Sequence, residues 1–458
     1  MKAAVPFLTL QPLRKFFQPI AIALVAAMAS SMVAMAAPSV YPTGTTLYDP
    51  AKAYNSYVLF TGGDNIARLI DLNGNVVREW KDAATHSTFI DPALINGQRG
   101  HVFVTLETVE GSGTDLIPGR VVGGRVAKTI GELDWDGKVV WQFGEKAPGG
   151  LARQHHDWAR LPNGNTAVLA NLTHPVPGFK LPQLFDDVVY EVNPKGDIVW
   201  TWIAADHLEE FGFTPAQLKL VRETDEPDYL HVNNLKVIGP NRWYAAGDAR
   251  FHPDNLIFDA RNANFIAIIE RKTGKVVWNL GPNYSPVKNN ERRKVPRPVD
   301  QIAGQHDAHI ILEGLPGAGN LLVFDNQGQA GYPPAVLPIT GGSRVLEIDP
   351  VKKEIVWQYT GEDSGGPSWS FRSTHISAAR RLPNGNTFID EGQSGRLFQV
   401  TRTGEIVWEY VNPYGRAGKD TVTGRATLNR QLYRGQPVPY EWAPAGTPRT
   451  EKAVQPPT

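Results

Sequence analysis

Eleven histidines stand in a chain of 458 residues that has no cysteine, and five of their positions recur in one pattern. His86, His155 or His156, His231, His306 and His375 each open or precede an alternating apolar/polar stretch that ends in a turn. The clearest pair, HDWARLPNGNTAVL at His156–Leu169 and HISAARRLPNGNTFI at His375–Ile389, share the turn Leu-Pro-Asn-Gly-Asn. An imidazole can serve as a general base, or as a nucleophile that accepts a transferred group. The richest phrase is Gln305-His306-Asp307-Ala308-His309. Strand alternation puts His306 and Ala308 on one face, Asp307 and His309 on the other. One His can then face a channel while Asp307 or His309 supports a neighbouring strand; His155, His156 and Asp157 raise the same question. Arg250, Arg261, Arg344, Arg372 and Arg396 lie near such strands, and a planar guanidinium suits sulfate, phosphate or carboxylate oxygens. The plainer reading of each arginine is an ion pair at the surface or between strands, and of His86 a packing role. Histidines from several strands could also hold Zn or Cu, since no thiolate is available, but no metal or cofactor is assigned.

The elements that must position these residues are strands in a repeat. One phrase recurs: an alternating strand, a turn centred on Gly or Lys, two β-branched residues, then Trp. Its copies are Ile66–Trp80, Ile130–Trp141, Val188–Trp200, Ile266–Trp278, Arg344–Trp357 and Arg396–Trp408. Each carries the signals of a β-hairpin. The His-led stretches lie between them as a second hairpin, so each unit holds about four strands. The repeat is wider than the roughly 40–45 residues of a compact four-stranded blade, which leaves room for loops. An all-β fold follows, a six-bladed β-propeller of four-stranded blades spanning residues 44–443. If the His-led strands are innermost, the histidines of five blades enter one central channel. The first unit lacks such a strand, so the chain's end is expected to complete it through Ala426–Tyr433 or Val438–Trp442. Residues 444–458, rich in proline, read as a loose tail.

Composition narrows the rest. Lys+Arg and Asp+Glu both number 46, which argues against an electrostatic nucleic-acid binder. Without cysteine there are no disulfides, Fe–S clusters or thiol nucleophile. No Walker loop or Gly-x-Ser-x-Gly elbow is present. Residues 1–36 carry basic residues, the apolar run Ile20–Met28 and Ala34-Met35-Ala36, the three parts of a secretory signal, with cutting expected after Ala36. An uncleaved anchor over 16–36 is the alternative. The expected location is periplasmic or secreted, with no membrane contact after cleavage, and a homo-oligomer is left open.

These phrases together resemble the bacterial arylsulfotransferase (arylsulfate sulfotransferase) family of secreted six-bladed propellers, from about Tyr57 to Pro413. The resemblance rests on LHVNN at Leu230–Asn234, GQHDAHI at Gly304–Ile310, VFDNQG at Val323–Gly328, GGSRVLEID at Gly341–Asp349 and the closing run Arg381–Pro413. It implies transfer of a sulfuryl group from an aryl sulfate to a phenolic acceptor, without a nucleotide donor, through a sulfated histidine. It also matches His231 and His306 to channel histidines that stabilise the transferring group. Two departures stand out. Gln327-Gly328-Gln329 follows the FDN phrase where the family has an Arg, and Arg396 falls in the segment aligned with the family's nucleophilic His. His375 or His306 must then replace that nucleophile, or the chemistry differs. The expected catalytic set is His306, His231 and His375, with His155, Arg396, Arg344 and Arg261 binding substrate, and His306→Ala is expected to abolish turnover. The rival functions are a non-catalytic propeller that binds a ligand or partner, and a metal-dependent lyase or hydrolase.

Overall fold

A computed structural model describes residues 42–81, 83–110, 125–337, 341–419, 424 and 426–456. The export segment expected over 1–36 lies outside them. The strands form six antiparallel sheets, the blades of a β-propeller. The innermost strands of blades 2 to 6 are Ala84–Phe89, Gln154–Arg160, Val232–Val237, His306–Ile310 and Ala378–Arg381. These are the His-led stretches of the sequence. Blade 1 borrows its innermost strand, Gln436–Val438, from the end of the chain. The chain does return to complete this blade, through residues between and overlapping the two expected segments. Ala426–Asn429 instead pairs with Arg416–Lys419 in a separate hairpin. At the other end, Gly44–Tyr48 adds a fifth strand outside Ile406–Val411 of blade 6. The ring is therefore closed by both ends of the propeller segment. The proline-rich end is tied down at Val454, which bridges Tyr48.

The six Trp-phrase hairpins share a register shift and a closing indole, and three of them share one turn. Asp71, Asp134 and Asn193 each accept two backbone N–H bonds within the turn they open. The residue that closes the turn must adopt a positive φ, which Gly74, Gly137 and Gly196 do freely. A register shift follows in every blade and turns the last strand. The closing indole then donates its N–H to a carbonyl in the equivalent turn region of the next blade. Trp80 reaches Asp134, Trp141 Asn193, Trp202 Gly274, Trp278 Pro350, Trp357 Arg402, and Trp408 returns to Leu72. In blade 3 the latch is Trp202, not the Trp200 that ends the sequence phrase, because two residues along a strand keep the same face.

Burial explains why the middle strands read as continuous apolar runs. Leu256–Ala260 and Phe265–Ile269 are buried at every position, whereas the outer Glu354–Tyr359 alternates. Leu256, Phe258 and Ala260 pack toward blade 3, while Ile257 packs toward blade 5. Six apolar clusters fill the six seams between blades. No helix among the described residues is long and apolar enough to cross a membrane.

Candidate functional site

The innermost strands do not begin as regular strands. Register shifts interrupt four of them, in blade 2 near Ala84–Thr88, and over Gln154–Trp158, Val232–Asn234 and His306–His309. His156, His231, Asp307 and Ile376 all have positive φ, between 51° and 62°. That region is unfavourable for non-glycine residues, most of all for a β-branched one such as Ile376.

His155, His156, His231, His306 and His375 meet at the end of the channel where these strands begin. The rings of His155 and His156 lie 4.9 Å apart, and His156 meets His231 edge-on at 4.7 Å. Tyr433, just ahead of blade 1's borrowed strand, stacks on His156 at 5.1 Å. The expected Arg261 joins them from the end of the second strand of blade 4, and its charge acts on His231, His306 and His375. The side chain of His86 lies outside the described residues.

The histidines differ in partners and therefore in charge. His231 Nδ1 lies 2.5 Å from Asp228. Burial disfavours a charged ring, but the Asp228 carboxylate outweighs it and raises the His231 pKa above 6.5. Burial likewise works against the Asp228 charge, and His231 overcomes it to hold that carboxyl below its ordinary range. His155 sits 3.1 Å from Asp187. Burial pushes the Asp187 carboxyl up to about 6, although His155 opposes the shift.

His306 is 2% exposed and both its ring nitrogens are engaged. Its Nδ1 lies 2.7 Å from Asn326 Oδ1 and 3.0 Å from the Gly304 carbonyl, and its Nε2 accepts the Ile376 N–H at 3.1 Å. Asn326 in turn donates to the carbonyls of Ser373 and Ile376. His306 and Asn326 thus brace the strained loop that carries His375. His375 is half-buried, and its Nε2 has no hydrogen-bond partner among the described residues. Burial first, and then Arg261, depress its pKa, so the ring is neutral at pH 7.

Two expected site residues lie elsewhere. Arg344 starts the third strand of blade 5 and is clamped by Asp300 and Asp325 at 2.9 and 2.6 Å. Arg396 starts the third strand of blade 6, 2% exposed, between Glu391 at 3.0 Å and Glu409 at 2.6 Å. Both are interior ion pairs, since a third strand points its side chains into seams rather than the channel. Gln327 is also committed, donating to the Gln301 carbonyl and to Asp325.

Beneath the histidines an ion cluster crosses the channel. Arg434, ahead of blade 1's borrowed strand, lies 2.8 Å from Asp157 and 3.4 Å from Asp307. Lys236 pairs with Asp157 at 2.8 Å, and Arg380 forks onto Asp307. These carboxylates also accept backbone N–H bonds from the next innermost strand, Asp157 from Leu235 and Asp307 from Ala379. Asp307 thus supports the neighbouring strand, the role expected for it or His309, and shares Arg380 with His309. Asp228, Asn326, Tyr433 and Arg434 were not singled out from the sequence. Asn326 lies inside a quoted motif, but no pattern in the chain names its partners. Among the described residues no three His, Asp or Glu are placed to hold one metal ion.

A closed six-bladed propeller whose channel gathers imidazoles and a guanidinium is a fold and a site suited to anionic groups. The chain belongs to the arylsulfotransferase (ASST) family, which it matches over residues 49–422. It is therefore, at family level, a sulfotransferase-type enzyme whose general substrates are aryl sulfates and phenols. No curated protein is similar enough to count as a relative. Among solved structures, a protein of unknown function from Bacteroides caccae is 13% identical, with TM-score 0.44 over 84% of this chain and 99% of the other. A streptogramin B lyase is 14% identical, with TM-score 0.39 over 87% and 93%. A virginiamycin B lyase from Staphylococcus aureus with quinupristin is 11% identical, with TM-score 0.37 over 81% and 87%. Likenesses of this size carry no argument about activity.

Proposed function

We propose that this protein is an exported arylsulfate sulfotransferase in which His375 carries the sulfuryl group. One observation supports the choice: His375 is neutral, half-exposed and uncommitted at Nε2, and lies within the field of Arg261. In the first half-reaction His375 Nε2 attacks sulfur, the N–S bond forms and the S–O bond to the aryl group breaks. The departing phenolate takes a proton from His231. In the second half-reaction neutral His231 takes the acceptor phenol's proton, the new O–S bond forms and the N–S bond breaks. Arg261 balances charge on the sulfuryl oxygens throughout. Mass spectrometry of donor-treated protein should place a sulfuryl group on the peptide holding His375. An adduct on His231 or His306, or none at all, would sink this assignment.

A pH profile follows from the same groups. The first half-reaction needs His375 neutral and His231 protonated. Activity in kcat/KM should fall as pH drops through the depressed His375 pKa, where that ring gains a proton, and fall again as pH rises past the elevated His231 pKa. Asp228→Asn removes the charge that raises that pKa and should move the basic limb downward, with the acid limb unchanged. The Asp228–His231 pair also stabilises the fold most below pH 6.5, and this contribution is lost as pH rises through the His231 pKa.

His306 acts in this scheme by positioning. His306→Ala frees the Ile376 N–H and the loop, and should lower kcat by roughly ten- to a hundredfold with little change in KM. His306→Gln restores an acceptor and should recover part of that loss. An unchanged kcat in His306→Ala would remove the bracing role.

A further inference from the structure

The opposite end of the channel holds a cavity of about 470 Å³, large enough for a small ligand. Its walls are apolar, with Ile90, Leu94, Phe103, Trp158, Ile311 and Trp442 among them. Lys236, His309 and Arg380 also line it. These three sit late in their innermost strands, so they face away from the histidine cluster, across the Asp157–Arg434–Asp307 bridge.

Lys236 and Arg380 reach the cavity wall at this floor, whereas their partners Asp157 and Asp307 are fully buried beneath it and are not part of the lining. Asp259 and Asp390 are fully buried beneath it too, where burial raises both carboxyls well above their ordinary range. His309 is neutral, since burial and then Arg380 push its pKa down to about 3. The other wall cations are locally compensated, Arg160 by Glu132 and Arg381 by Glu347. Of the wall carboxylates, Asp91 caps the turn Pro92–Ile95 and Glu313 is exposed to water. An apolar chamber whose floor presents the head groups of Lys236 and Arg380, with their carboxylate partners buried beneath, suits an apolar molecule with an anionic head.

We propose that this cavity binds an apolar molecule bearing a single negative charge, with its anionic head on Lys236 and Arg380 and its body against the walls. The site is separate from the sulfuryl chemistry and does not depend on it.

Calorimetric titration of the full chain with dodecanoate, below its micelle-forming concentration, tests the proposal. Saturable binding of one dodecanoate per chain is expected, and it should persist unchanged in His375→Ala. Lys236→Met keeps the aliphatic stem and leaves Asp157 paired with Arg434, and it should weaken binding by at least about tenfold. Leu312→Glu changes an exposed residue of the cavity lining, so folding is not at risk, and the added anion should also weaken binding. The proposal is overturned by absence of saturable binding to the wild type, or by equal affinity in Lys236→Met and Leu312→Glu. Equally tight binding of dodecyltrimethylammonium would overturn it too.

Discussion

His375→Ala is expected to lose turnover of a phenyl sulfate donor by on the order of a thousandfold or more, the scale of removing a covalent nucleophile. The variant should also show no sulfuryl adduct. The size of the effect follows from what remains. His231, paired with Asp228, and Arg261 still hold an aryl sulfate and still stabilise its charge, so donor binding should survive. The S–O bond then has only water as attacking group. His306 cannot take over, because its Nδ1 faces Asn326 and its Nε2 accepts from Ile376. His231 cannot take over while protonated, since an imidazolium has no free lone pair. Steady-state kinetics and intact mass on the same preparation check both halves. Turnover in His375→Ala comparable with wild type would remove His375 from the chemistry, and the covalent scheme with it.

Arg396→Met is expected to destabilise the fold by about 3–5 kcal/mol, because it leaves a buried cluster without its cation. The Arg396 guanidinium lies within ion-pair distance of both Glu391 and Glu409 and stacks over Phe398 at 4.0 Å. Methionine fills much of the same volume but leaves two carboxylates facing each other inside blade 6. Burial already raises the Glu391 pKa despite Arg396, so without the cation that carboxyl should take up a proton. Denaturant titration measures the loss, and donor KM in the surviving folded protein separates this role from substrate binding. A large rise in KM with stability intact would return Arg396 to the list of substrate contacts.

How much of this was legible in the chain depends on the range of each interaction. The blade count was legible because each hairpin is local: a turn such as Asn73-Gly74 or Asp136-Gly137, flanked by alternating residues, specifies itself within a dozen positions. The closing indoles were legible as a period, although Trp202 rather than Trp200 serves blade 3. The histidines were legible as a set because they recur at one place in the repeat. Their roles were not. Whether His306 or His375 has a free nitrogen depends on Asn326 and Ile376, which lie 20 and 70 positions from His306. Arg344 and Arg396 looked available from the sequence alone, since nothing local reveals that Asp300 and Glu409 reach them across their sheets.

The sequence by itself determined a propeller of six blades, the period of its closing tryptophans and a set of histidines at one place in the repeat, because hairpin formation and side-chain alternation act over a few residues. Only the tertiary structure decided which imidazole has a free nitrogen, which is paired with a carboxylate and which is a brace. It also decided that two expected anion binders are interior ion pairs, and that a second cavity lies beyond the Arg434 bridge. Charge state and accessibility are set by groups that closing the ring brings together from distant blades, and a repeat read along the chain does not contain that closure.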